Sequence, residues 1–223
     1  VGSEMCIRDR YTLRADEMFL NRMIGGTFEG SNDPDFREKE VLYLINEKPK
    51  RLQTVVQSYS SKSYRYVRYI GPKDSHCNIA EAAFYTPNDT ASLKGKVIGT
   101  PGCFQKDGSH EYTNVFDGDV TTSFDYIEPS GGWSGLDLGT PKQIGRIVYT
   151  PRSYDNYIRS GDDYELFYCA RRNNWKSLGD QRSKADSLIY IKIPVNALLL
   201  LCNNTRGIQE RIFVYTAAEQ IWK

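Results

Sequence analysis

The stretch NVFDGDVTTSFDYIEPSGGWSGLDLGTPKQIGRIVYTPR, residues 114–152, decides the fold of this chain. It begins with an acidic Asp-Gly-Asp turn and leads through a Gly-Gly pair into residues 133–138, where apolar and small or polar residues alternate. A turn with Gly and Pro at residues 139–142 separates these from residues 144–149, which alternate again. Period-two alternation bounded by Gly and Pro is typical of half-buried strands. The stretch therefore predicts two β-strands, and Trp133, on the alternating pattern, is predicted to be mainly a core residue.

The bulk composition argues against several classes of partner. The chain has 223 residues, with 29 Lys and Arg against 28 Asp and Glu, and a net charge of +1. Such a balance creates no field that gathers a polyanion, so neither nucleic acid nor an anionic membrane is a predicted partner. No apolar run is long enough to cross a bilayer. The 16 Tyr and 18 Gly suit β-structure and the recognition of carbohydrate or protein.

The rest of the chain shows further strand patterns and little sign of helices. Residues 164–169 and 175–178 are predicted to form a hairpin around a turn at residues 171–174. No stretch shows a capped 3.6-residue period over three turns. The predicted fold class is all-β.

A long-period internal repeat divides the chain. Residues 26–32, 64–69 and 77–85 match, in the same order, residues 163–169, 197–202 and 207–215. Polar residues with a proline lie between the two copies, and residues 88–90 are predicted to be a linker.

The ordered motifs resemble those of discoidin-like modules, the coagulation factor 5/8 type C family. The residues that carry the resemblance are Asp117, Gly118, Asp119, Thr122, Phe124, Trp133, Leu136, Asp137, Leu138, Gly139, Pro141, Ile144 and Ile147. The family usually has Trp at the position of Phe124. The resemblance implies a galactose-binding-like jelly-roll β-sandwich.

The resemblance also implies a domain organisation. Residues 91–223 are expected to be a complete module, and residues 11–87 the C-terminal half of a truncated one. Residues 1–10 read like a translated sequencing-library adapter and are excluded from the expected fold. The chain is then expected to be part of a larger polypeptide.

Catalysis is not expected of this sequence. It contains no Ser-His-Asp order, no glycine-rich phosphate loop and no His-Glu-x-x-His motif. The five cysteines form no Cys-x-x-Cys pair and there are two histidines, so a zinc site is not expected. A bridge between Cys169 and Cys202 is conceivable, but buried or idle thiols are the simpler interpretation.

Calcium is the cofactor that the resemblance implies. Sugar-binding members of the family hold a structural calcium at the acidic turn, completed by a Glu near the C-terminus. The matching residues are Asp117, Asp119, Thr122 and Glu210. The alternative is a metal-free turn in which Asp117 accepts backbone N–H bonds and Glu210 pairs with an arginine.

Ligand binding is expected on loops at one end of the sandwich. The candidates are Tyr126, Arg152, Tyr154, Tyr157 and Arg159. Two rings in the polar loop at residues 154–157 can stack on a sugar and bind its hydroxyls. Arg152 can equally pair with Asp162 or Asp163 and only hold the loop.

The expected function is non-catalytic glycan binding by a module of a larger bacterial protein, secreted, periplasmic or attached to the cell surface. The alternative is a structural or protein-interaction spacer, appended to an upstream enzyme domain. Lipid binding needs apolar loop tips, which the sequence does not show.

Overall fold

The structure is a computed structural model that describes residues 3–7, 14–49, 53–153, 158–171, 174–184, 187–194, 196–216 and 219–222. Residues 3–7, 14–17, 208–211, 215, 216 and 219–222 are described by their backbone alone.

Strands dominate the described residues. They are β1 Ser3–Ile7, β2 Thr27–Ser31, β3 Lys39–Leu44, β4 Thr54–Gln57, β5 Ser63–Ile70, β6 Ile79–Tyr85, β7 Lys96–Gly99, β8 Trp133–Gln143, β9 Arg146–Pro151, β10 Asp163–Arg171, β11 Asn174–Arg182, β12 Leu188–Ile193, β13 Leu198–Asn203, β14 Ile208–Thr216 and β15 Glu219–Trp222. An α-helix, α1, spans Arg14–Asn21, and a 3₁₀ helix spans Tyr112–Phe116. The predicted all-β class is confirmed.

The first compact unit, Arg14–Asp155, is a sandwich of two antiparallel sheets. One sheet has the strand order β3-β2-β5-β8-β7, and the other has the order β4-β9-β6. Alternate side chains of each sheet point into the space between the two sheets and pack against one another there. The buried core contains Met23, Phe28, Leu42, Ile45, Tyr64, Val67, Tyr69, Cys77, Ile79, Ala82, Phe84, Val115, Phe124, Leu136, Ile144, Ile147 and Tyr149.

Trp133 lies on the face of β8 that points away from this core. Leu136 is buried between the sheets, and alternation then turns Trp133 to the opposite face. There its ring packs against Phe36, at 5.7 Å between centroids, and under the Arg68 guanidinium, at 5.2 Å. The predicted core role of Trp133 is therefore wrong, because alternation defines two faces without saying which one is covered.

The second unit comprises the described residues of Val1–Leu13 and Asn156–Lys223. Its five-stranded antiparallel sheet has the order β11-β10-β13-β14-β15, and β1 pairs with β12. Among the described side chains of this unit, the buried core contains Ile158, Tyr164, Leu166, Leu188, Tyr190, Ile193, Leu199, Leu201 and Phe213.

The two units contain a similar hairpin, although its register differs by one residue from the internal repeat, which matches Gly26 with Asp163. Gly25, with φ of 94°, donates its N–H to the Ile45 carbonyl at 2.7 Å, and Gly161, with φ of 92°, donates to the Ser183 carbonyl at 2.8 Å. The following strands keep the register, since Phe28 in β2 opposes β5 as Tyr164 in β10 opposes β13. Both of these rings are fully buried.

The chain divides at a different place from the predicted linker at residues 88–90. Strand β5 pairs with β8 and strand β6 pairs with β9, so both sides of that linker belong to one sandwich. The division falls between Asp155 and Asn156 instead. Because strand pairing is nonlocal, the half that precedes the linker is completed by the segment that follows it.

Two smaller points concern the termini and the thiols. Residues 3–7, set aside in the sequence analysis, form a strand in this structure. Cys77, Cys103, Cys169 and Cys202 are not in disulfide bonds. The conceivable Cys169–Cys202 bridge is not formed, since Cys202 opposes Glu165, four positions from Cys169.

No helix of the described chain is long and apolar enough to span a bilayer.

Candidate functional site

One loop end of the Arg14–Asp155 unit is held together by the buried carboxylate of Asp125. Its Oδ1 accepts a hydrogen bond from Asn78 Nδ2 at 2.6 Å, and its Oδ2 pairs with Arg152. Asn78 Oδ1 accepts in turn from Arg22 at 2.8 Å. The Arg152 guanidinium also lies 4.6 Å from the Phe19 ring centroid. Arg152 therefore positions the loops, and its partner is Asp125 rather than the predicted Asp162 or Asp163.

A neighbouring loop adopts an unusual backbone. Asp74, His76 and Cys77 all have φ between 52° and 59°, a region that non-glycine residues rarely occupy. Backbone hydrogen bonds hold it, because Tyr126 N–H donates to the His76 carbonyl at 2.7 Å and His76 N–H donates to Pro129 at 3.0 Å. Strained backbone persists where surrounding contacts fix it, and such places are often binding sites.

An exposed aromatic ring stands beside this loop. Phe104 is 57% exposed, and its ring meets the edge of His76 at 5.6 Å and 79°. Its N–H donates to the Asp125 carbonyl at 2.8 Å, which ties it to the Asp125 network. Asp107 Oδ1 accepts from Ser109 N–H at 2.9 Å and closes the turn that follows. The ring is presented to solvent by a backbone that is already ordered.

The predicted ligand residues are only partly brought together. Tyr126 and Arg152 both join the loop end through Asp125, although the Tyr126 ring packs against Phe124 at 5.9 Å. Arg159 belongs to the second unit, where its N–H donates to the Tyr164 hydroxyl. Tyr154 and Tyr157 lie outside the described residues.

The acidic turn is closed by its own hydrogen bonds. Asp117 Oδ1 accepts the Asp119 N–H at 2.7 Å, and Asp117 Oδ2 accepts the Thr122 hydroxyl at 2.8 Å. Asp119 Oδ1 accepts both the N–H and the hydroxyl of Thr121, at 2.9 and 2.6 Å. These bonds are those expected of the metal-free alternative. Across the described residues, no three or more His, Cys, Asp or Glu side chains gather as a metal-ligand group.

Glu81 of β6 reaches this turn, which the sequence analysis did not predict. Its Oε1 accepts the Gly118 N–H at 2.8 Å. Burial and a hydrogen bond with Asp117 raise the pKa of Glu81 to about 8. The two carboxyl groups therefore lie side by side, and a proton shared between them limits their electrostatic repulsion.

Glu81 takes the place that the sequence analysis gave to Glu210. Glu210 belongs to the second unit, and its side chain lies outside the described residues. The repeat of residues 77–85 in residues 207–215 brings Glu81 only within one position of Glu210, because it matches Ala80 with Glu210 and Glu81 with Arg211. The sequence pattern did not reveal which copy completes the sandwich around Asp117.

No family model matches the chain, and no similarity was found to a curated protein or to a solved structure.

Proposed function

We propose that this chain is a non-catalytic, carbohydrate-binding β-sandwich of the discoidin-like jelly-roll type, and part of a larger protein that works outside the cytoplasm. The ordered motifs between Asp117 and Ile147 support the family, and the two-sheet sandwich that they complete supports the architecture. The near-zero net charge creates no long-range field for a polyanion such as nucleic acid, and it leaves recognition to local contacts of the kind that sugars make.

The exposed Phe104 ring carries the proposal. A sugar binds by laying its C–H face on an aromatic ring while nearby polar groups take its hydroxyls. Phe104 offers the ring, His76 contacts that ring from the neighbouring loop, and Asp107 lies in the turn that follows Phe104. Because hydrogen bonds to Asp125 already fix these loops, binding costs little ordering entropy.

Calcium fits this proposal at the acidic turn, with a corrected ligand set. Carboxylate and hydroxyl oxygens are the ligands that calcium prefers. Glu81, Asp117 and Thr122 offer such oxygens, and Glu81 and Asp117 already meet. A bound calcium ion would supply positive charge in place of the shared proton and so brace the turn against β6.

A protein-interaction role is the alternative, and one surface favours it. Edge strands β3 and β4 expose apolar side chains, and Tyr59, just after β4 and bonded through its N–H to the Leu42 carbonyl, exposes an aromatic ring. Val41, Leu44, Val55 and Tyr59 are 41%, 40%, 59% and 63% exposed. Exposed sheet edges with apolar side chains are suited to pairing with another chain.

A glycan array probed with the whole chain tests the carbohydrate proposal. Phe104→Ala should abolish the signal, because the ring supplies the stacking surface. Tyr59→Ala is the matched control, since it removes a similarly exposed ring of the same unit. Equal loss in both variants, or no binding by the folded wild type, would leave the interaction role as the better account.

The same array, run in calcium and in chelator, tests the metal. Asp117→Asn should reproduce the effect of chelator in calcium buffer. Asp35→Asn, which changes an exposed carboxylate away from both the acidic turn and Phe104, should keep its response to calcium. Identical calorimetric titrations of calcium into wild type and Asp117→Asn would rule the site out.

A further inference from the structure

A groove of about 350 Å³ crosses the outer face of the sheet β4-β9-β6. Three cross-strand rows form its floor. The first pairs Arg146 with Tyr85, the second pairs Val148 with Ala83, and the third pairs Thr150 with Glu81. From the first row to the third is four residues along β9, about 13 Å at the rise of a strand. This span is longer than one pyranose ring.

Arg146 enters this groove with most of its hydrogen-bonding capacity unused. Its guanidinium lies 4.1 Å from the Tyr85 ring centroid, and Nη2 makes a long hydrogen bond of 3.4 Å to the Asp89 carbonyl. Nε is buried and has no partner in the described part of the chain. No carboxylate of the described residues forms an ion pair with it.

Other arginines of the same unit are paired. Arg65 binds Asp137 through two nitrogens, at 2.8 and 2.9 Å. Arg68 binds the buried carboxylate of Glu29 at 2.7 Å. A guanidinium is costly to bury without acceptors, since it carries a charge and five N–H donors. Arg146 is stacked on Tyr85 at one end of an open groove and has no carboxylate partner among the described residues. Because Nε is buried, an acceptor from outside the chain would bind its terminal nitrogens.

The remaining rows supply surfaces of a different kind. Val148, Ala83 and the 59% exposed Val55 form an apolar middle. At the far end, Gln53 and Glu81 line the groove with an amide and a carboxyl group. A ligand that fits this order has an anionic end, an apolar face and then hydroxyls.

We propose that the groove binds an acidic glycan. The carboxylate of a uronic acid residue pairs with Arg146, its C–H face lies on Val148, and the hydroxyls of the next residue reach Gln53. Arginine suits this role because its planar fork binds a carboxylate through two parallel hydrogen bonds. The inference rests on the proposed carbohydrate function and adds a sugar class at a site apart from Phe104.

Calorimetric titration of the whole chain tests it, with digalacturonate as the acidic probe and galactobiose as its neutral match. Arg146→Met should weaken digalacturonate binding about tenfold or more, the expected loss for a charge-assisted pair. Arg146→Lys keeps the charge without the fork and should weaken it less. Arg37→Met, which removes a 73% exposed guanidinium, is the control and should bind as wild type. Thermal melts show that each variant is folded.

Three results would overturn the groove site. The first is that digalacturonate binds Arg146→Met as tightly as it binds the wild type. The second is that galactobiose binds the wild type as tightly as digalacturonate does. The third is that acetate competes as well as digalacturonate, which would mark a simple anion site. Digalacturonate binding that survives Arg146→Met but is lost in Phe104→Ala would end this inference and leave the proposed function standing. A folded chain that binds no glycan at all would overturn both.

Discussion

The Glu81–Asp117 pair links the acidic turn to strand β6 and makes stability depend on pH. The pKa of Glu81 rises from 4.5 to about 8 on folding, so the folded chain binds more protons than the unfolded chain between these values. Stability must therefore fall as the pH rises through this window. In chelator, the melting temperature of the wild type should fall from pH 5 to pH 8.5, and Glu81→Gln should flatten that slope. Parallel curves for the two proteins would contradict the assignment.

The Asp125 carboxylate should be among the costly side chains to remove. Its side chain is 11% exposed and that of Arg152 is 14% exposed, and breaking such a buried pair costs about 3 kcal/mol. Asp125→Ala should show this loss in denaturant unfolding. Asp137→Ala breaks a pair with the 43% exposed Arg65 and should cost less than about 1 kcal/mol. Equal losses would mean that Asp125 is not a buried anchor.

The sequence predicted only part of this network of residues. The pattern placed Arg152 among the ligand-binding candidates because it lies on a loop at one end of the sandwich, and it offered the nearby Asp162 and Asp163 as partners. Asp125 lies 27 residues away, and only the packing of loops from distant parts of the chain brings it to Arg152. A pairing of this kind leaves no local pattern to read.

At the scale of elements, the repeated hairpin depends on one backbone angle in each copy. Gly25 and Gly161 have φ of 94° and 92°, where an L-residue with a Cβ is strained. Each Gly→Ala change should cost about 1–2 kcal/mol in its own unit. Gly→Asn is the matched control, because Asn tolerates positive φ better and should lose less. Hydrogen exchange in β2 and β10 would measure the two effects separately.

Strand patterns were read well where alternation and turns coincide. The predicted hairpin at residues 164–178 appears as β10 and β11, and residues 133–138 and 144–149 fall within or largely overlap β8 and β9. The turn predicted at residues 139–142 is wrong, because β8 continues through it to Gln143 with an irregularity in its pairing with β5. The helix α1, Arg14–Asn21, was missed because eight residues are only about two turns. Short helices gain their stability from packing that a single sequence does not display.

For the whole molecule, the repeat made the domain organisation hard to predict. Residues 22–85 and 158–216 carry the same hairpin and following strands, and only residues 91–151 carry the acidic turn and Trp strand. By sequence pattern alone, the strands of either copy are equally suited to pair with that segment. The pairing of β5 with β8 adds the Arg65–Asp137 ion pair and the contact of Arg68 with Trp133. At the equivalent positions of β13 the second copy has Leu199 and Cys202, which cannot make these contacts.

Separate cores predict separate responses to core mutation. Phe28 and Phe213 are fully buried in different clusters, and truncation of a buried Phe costs about 3–5 kcal/mol. Phe28→Ala should raise amide exchange in β5 and β8 and leave β10 and β13 unchanged, and Phe213→Ala should do the reverse. Exchange mass spectrometry of the whole chain reads both. Exchange that rises everywhere in either variant would mean that the units unfold as one.

The position of Trp133 gives the Arg14–Asp155 unit an optical signal of its own. The other tryptophans of the chain, Trp175 and Trp222, follow residue 155. The indole of Trp133 is held beside the Arg68 cation, 5.2 Å away, so we expect its emission to change when the sheet unfolds and the two separate. With Trp175 and Trp222 replaced by Phe, fluorescence excited at the red edge of indole absorption would follow the folding of this unit alone, in real time and at nanomolar concentration.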